Sequence, residues 1–131
     1  RLPTSSKGKK ILRYILCEVE RRNSGHDSSW NATTGTIEHI LPESLDDHWA
    51  ASFSEEEHAR YVDRLGNYAL LEHGKNKSLA QKPFAVKAQV YETSQYGLTK
   101  DVAAATEWTG AAIAGRQKEL AKLATAVWRF P

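Results

Sequence analysis

The sequence predicts an α+β fold, mainly α-helical, in which two short antiparallel strands and a helix form a central unit that further helices surround. Two runs carry the strands: Thr36-Ile37-Glu38-His39-Ile40-Leu41, stopped by Pro42, and Asn67-Tyr68-Ala69-Leu70-Leu71. After the second run, His73-Gly74-Lys75 reads as a turn and Asn76 opens a helical stretch from Lys77 to about Gln81, so the order is strand, insertion, strand, turn, helix. Elsewhere apolar residues recur at helical spacing. Ile11, Leu12, Ile15, Leu16 and Val19 do so near the start, and Trp108, Ile113, Leu120, Leu123, Val127 and Trp128 near the end.

In chain order, residues 1–8 lack periodicity and read as a linker or tail remnant. An amphipathic helix follows over Lys9 to Arg22, with Cys17 a small packing residue inside it, and residues 23–35 have loop chemistry. Ser54-Glu55-Glu56-Glu57 is a capping box that opens a helix through about Leu65, and Gly66 is expected to end that helix. Pro83 starts a helix to about Thr93. Thr99 caps a short helix over Lys100 to Ala105, and Thr106 opens the long last one. Trp49, Trp108 and Trp128 read as core or lid anchors.

At 131 residues and 40% hydrophobic content the chain suits one domain, residues 9–131, with one core. It has no methionine, position 1 included, and is therefore expected to be cut from a longer, multi-domain protein. A single cysteine excludes a disulfide framework and a thiolate zinc site, which points to a reducing cytoplasm. No apolar run approaches the ~20 residues of a membrane span. The net charge of +2 carries no argument, but its distribution is uneven. Eight acids lie between Glu38 and Asp63 against Arg60 alone, whereas His73 to Tyr91 holds Lys75, Lys77, Lys82 and Lys87 with no acid. Most such runs are solvated helix faces; the functional alternative is a cation-attracting pocket beside a phosphate-attracting helix.

Glu38 and His39, with Asn67 and Asn76 downstream, make an inventory suited to metal-assisted hydrolysis: an anionic ligand, a general base, an orienting amide and a neutral oxygen ligand. Strand alternation sends Glu38 and His39 to opposite faces, so either a distortion at the strand end brings both to one site, or His39 acts at the phosphorus while Glu38 reaches round from beside it. Taken singly, each of these residues has an ordinary structural reading as a core or turn residue. His73, close to Asn76, is an additional candidate as phosphate contact or third ligand. His48 and His58 read as surface residues. Arg116 either clamps a phosphate or pairs inside the domain.

The ordered set Glu38-His39-Ile40-Leu41-Pro42, Leu65-Gly66-Asn67-Tyr68-Ala69-Leu70-Leu71, Asn76-Lys77-Ser78-Leu79 and Pro83-Phe84 resembles the HNH, or ββα-metal, nucleases. More closely, it resembles the C-terminal nuclease domain of GmrSD-type modification-dependent restriction and phage-defence enzymes. The likeness extends to Trp49, Ser94, Trp108, Ile113 to Arg116 and Trp128. It implies a ββα-metal core and a cytoplasmic, bacterial endonuclease that nicks double-stranded DNA, with His39 as general base and Glu38 and Asn76 as metal ligands. Asn67 would hold the loop that bears His39. With Asn76 where many relatives have the last histidine, the implied cofactor is Mg²⁺ or Mn²⁺. Lys75, Lys77, Lys82 and Arg116 are the expected DNA contacts. Choice of target is expected to lie in a missing upstream sensor or NTPase-like module of the same polypeptide or complex. The rival reading is an HNH-like shell that binds DNA or a partner without turnover.

Overall fold

The computed structural model describes the backbone of residues 6–24 and 35–127, and within them the side chains of residues 8–23 and 35–126. Two strands, β1 (Gly35–His39) and β2 (Tyr68–Glu72), pair antiparallel with Glu38 opposite Ala69 and His39 opposite Tyr68. A strand covered on both faces reads as a continuous apolar run, and β2 is one. Its Tyr68 and Leu70 pack with Leu12 and Leu16 of helix α1 (Ser6–Ser24), while Ala69 and Leu71 enter the larger core with Ile40, Leu41, Trp49, Phe84, Trp108 and Ile113. That larger core gathers α2 (Asp47–Ala50), α3 (Glu55–Tyr61), α4 (His73–Leu79), α5 (Phe84–Tyr91), α6 (Gly97–Val102) and α7 (Gly110–Val127). The fold is thus α+β and mainly helical, with β1, β2 and α4 forming the expected ββα unit. No helix among the described residues is long and apolar enough to cross a membrane.

Several boundaries differ from expectation for identifiable reasons. Helix α1 already includes Ser6, inside the expected tail, while residues 1–5 lie outside the described set. Strand β1 ends at His39: Ile40 N still donates to Asn67 O (3.0 Å), its partner in register, but Leu41 N turns to the side-chain Oδ1 of Asn67 (2.8 Å), and the ladder goes no further. The capping box at Ser54 is formed, but α3 stops at Tyr61 and a 3₁₀ turn spans Leu65–Asn67. Gly66 is therefore no helix stop. A Cβ there would sit 2.1 Å from Ile113 O, so the glycine lets α7 press directly on the turn's backbone. The expected turn at His73 is the first turn of α4, which places Asn76 within the helix. Thr99 lies inside α6 and donates its hydroxyl to Leu70 O (2.6 Å), and α7 is capped by Thr109 rather than Thr106, through Ala112 N to Thr109 Oγ1 (3.1 Å). Trp49 and Trp108 are buried as expected; Trp128 and His26 fall outside the described residues.

Candidate active site

A groove of about 390 Å³ opens where β1 ends beside α4, and Glu38, His39, Glu43, Ser44 and Asn76 line it with Ala80 at the end of α4. Three of the four residues singled out for chemistry thus meet there. The fourth, Asn67, lies behind the groove, wholly buried. Its Nδ2 donates to Leu41 O and Val62 O, both at 2.9 Å, and its Oδ1 accepts from Leu41 N (2.8 Å) and Trp108 Nε1 (3.1 Å). The amide therefore spends its donors and its acceptor on fixing the segment that follows His39.

Asn76 is oriented by a short chain of hydrogen bonds. Thr36 gives its hydroxyl proton to Leu71 O (2.9 Å), so its oxygen must accept, and Asn76 Nδ2 donates to it at 2.7 Å and to Ile37 O at 3.0 Å. With the nitrogen tied to β1, the carbonyl Oδ1 is the amide atom left to face a ligand.

Glu38 is buried, at 4% exposure, and lines the groove together with His39 although the two are adjacent in β1. Its Oε2 accepts from Tyr91 Oη (2.6 Å) and from Lys87 Nζ (3.1 Å). Lys87 is fully buried and also donates to His39 O (2.8 Å) and Ile40 O (3.1 Å). Burial pushes the Glu38 carboxyl up and the Lys87 ammonium down, and each partner's charge pulls the other back. Burial, the Glu38 charge and the hydrogen bond to it raise the Tyr91 phenol well above its usual range.

His39 closes β1 with its ring edge-on to Tyr68, centroids 4.9 Å apart. Nδ1 lies 3.8 Å from Glu43 Oε1 and Nε2 lies 4.0 Å from Asp63 Oδ1. Burial lowers its pKa below the usual 6.5, although Glu43 and Asp63 oppose the shift. The imidazole is accordingly neutral near pH 7 and able to take a proton.

The remaining candidates lie elsewhere. His73 is exposed at the start of α4 and does not line the groove. His48 is exposed, but His58 is half-buried with Nε2 2.8 Å from Pro42 O, and so braces the turn after the groove. Lys75 Nζ bonds Glu72 Oε2 and Thr93 O, both at 2.9 Å, and Glu72 also accepts from Ser94 Oγ (2.7 Å). Arg116 Nη1 donates to Gly66 O (3.0 Å) and Tyr68 O (2.5 Å), which commits the guanidinium to the interior. Of the acid-free lysine run, Lys77 and Lys82 are exposed and Lys87 is not available to a phosphate. Among the described residues no group of three or more His, Cys, Asp or Glu is arranged to hold a metal ion.

Sequence reasoning read Lys87 as part of the lysine run and gave no role to Tyr91 or Asp63. A signal for the first existed: Phe84, Lys87 and Tyr91 share the buried stripe of α5, so the lysine occupies a core position of that helix. The position of Asp63 beside His39 depends on the path of the chain between α3 and β2, which has no local signature.

The family model described as the C-terminal domain of GmrSD restriction endonucleases matches residues 2–123. No curated protein matches the sequence.

Proposed function

From the membership of this chain in the family of GmrSD restriction endonuclease C-terminal domains, which makes it a nuclease module of the restriction type, we propose that it is a metal-dependent HNH endonuclease that nicks DNA. The observation that carries the reading is the single groove shared by Glu38, His39 and Asn76, with Asn67 bracing the loop behind. His39, neutral through burial, takes a proton from the water that attacks phosphorus.

The residues fit a hard divalent cation. Tyr91 and Lys87 hold the Glu38 carboxylate at the groove wall, and Thr36 and Ile37 turn Asn76 so that its carbonyl oxygen is the free atom. One carboxylate and one carboxamide are hard oxygen donors and suit Mg²⁺ or Mn²⁺, which retain most of their waters. When bound, such an ion offsets charge on the scissile phosphate and on the departing oxygen. Of the acid-free lysine run, the exposed Lys77 and Lys82, next in sequence to the groove residues Asn76 and Gln81, are the ones that meet neighbouring phosphates of a double-stranded substrate. One centre cuts one strand, hence a nick. Selection of modified DNA belongs to a sensor or NTPase-like module acting with this domain.

A second reading, an HNH-like shell that binds without cutting, draws on one observation: the Lys87 ammonium already neutralises Glu38. Supercoiled plasmid separates the two. With Mg²⁺ the protein should nick it, EDTA should stop the reaction, and His39→Ala should slow it by ~10²–10⁴-fold while DNA affinity in EDTA stays unchanged. Binding without nicking would establish the second reading.

A further inference from the structure

His39 Nε2 is buried and has no hydrogen-bond partner among the described residues. It faces Asp63 Oδ1 at 4.0 Å, and that oxygen is held by the Tyr68 hydroxyl, which donates to it at 3.1 Å. Tyr68 also supports the imidazole edge-on, so one residue of β2 fixes both partners. The other ring nitrogen, Nδ1, looks toward Glu43, which lines the groove.

A neutral imidazole carries one N–H, and the surroundings decide which nitrogen bears it. The Glu43 side chain is 64% exposed, whereas that of Asp63 is 12% exposed. At nearly equal distances, the carboxylate in the drier position attracts a donor more strongly, because water screens the other. The separation from Asp63 is about 1 Å longer than a hydrogen bond, and contacts of catalytic groups are often long before substrate is bound.

We propose that Asp63 is a positioning residue for His39. By accepting the Nε2–H it holds the imidazole in the tautomer whose Nδ1 lone pair faces the groove. Nδ1 is then the atom that receives the proton: the water O–H bond breaks, its oxygen bonds to phosphorus as the leaving oxygen departs, and the imidazolium formed carries N–H on both nitrogens beside Asp63. This rests on the nuclease reading above.

The test uses the 131-residue chain with ¹⁵N-labelled histidine, free of metal and DNA, and locates the His39 ring proton by NMR. The expected result is a proton on Nε2, protected from exchange with water. Asp63→Asn, whose carboxamide oxygen still accepts, retains the protection, and Asp63→Leu loses it. In plasmid nicking with Mg²⁺, Asp63→Leu lowers the rate by about 10–100-fold and Asp63→Asn restores most of it. A wild-type proton on Nδ1, or an Nε2–H whose protection survives Asp63→Leu, overturns the proposal, and the wild-type spectrum decides even if Asp63→Leu does not fold. Because the spectra are taken without substrate, a wild-type protein with the protected Nε2–H but no nicking overturns the nuclease reading instead.

Discussion

His39 sits where burial and charge pull in opposite directions, and burial prevails. A base must be unprotonated to act, so a lowered pKa keeps it competent into mild acid. If His39 is the base, the sign follows: nicking should be on its plateau at pH 7, fall as pH drops through the folded-state pKa, and reach half its maximum below pH 6.5. Initial rates at saturating Mg²⁺ between about pH 5 and 8 check this, and a midpoint above the free-imidazole value would contradict it. Lys87 makes a different prediction, one of stability. Lys87→Met leaves the Glu38 carboxylate buried without its cation and strips a donor from His39 O and Ile40 O, at a cost of ~3–5 kcal/mol. Adding Glu38→Gln removes the stranded charge and should recover part of the loss in urea unfolding. No recovery would put the cost in the two carbonyl contacts.

At the scale of elements, two backbone positions should respond in opposite senses. Gly66→Ala drives a methyl into Ile113 O on α7, and overpacking of this kind costs ~1–3 kcal/mol or more. Ala80, which ends α4 at the groove, holds φ at +41° without being a glycine, a conformation that costs ~1–3 kcal/mol. Ala80→Gly should therefore stabilise the fold, and thermal melts of the two variants should move in opposite directions. The contrast marks how much was legible beforehand. The strands and the capping box at Ser54 follow from local pattern, and the motif order singled out Glu38, His39 and Asn76, which line one groove. The role of Gly66 did not, because a glycine after a helical run signals a stop unless a distant helix is known to lie on it. Helix α4 begins at His73 for a similar reason: Gly74 and Lys75 look like a turn, and the Asn76 bonds to Thr36 and Ile37 that support the helix come from another strand. The lysine run misled in the same way, since charge density says nothing of which face a helix buries.

Across the whole molecule, the cations considered for DNA divide by burial. Lys75 is tied to Glu72, Lys87 is in the core and Arg116 holds backbone carbonyls, so of that set Lys77 in α4 and Lys82 just beyond it are the exposed ones. If both touch phosphates, Lys77→Ala with Lys82→Ala should shallow the dependence of log affinity on log salt by up to ~2 units, alike for every sequence. Duplex affinity in EDTA over a range of salt measures it; an unchanged slope would move the DNA path to another face. The anchoring of the groove from α7 and its approach has one more consequence. The loop after His39 depends on Asn67, Asn67 receives a hydrogen bond from Trp108, and the turn that carries Asn67 is pressed by Ile113 and gripped by Arg116. A ribosome that still holds residues from Trp108 onward has released His39 and Asn67 without these supports, although Asn76 already has Thr36 and Ile37 to orient it. Ending the chain before Trp108 should therefore abolish nicking even though Glu38, His39 and Asn76 are all present, and a truncated chain that still cut would show that the groove holds its shape without that support.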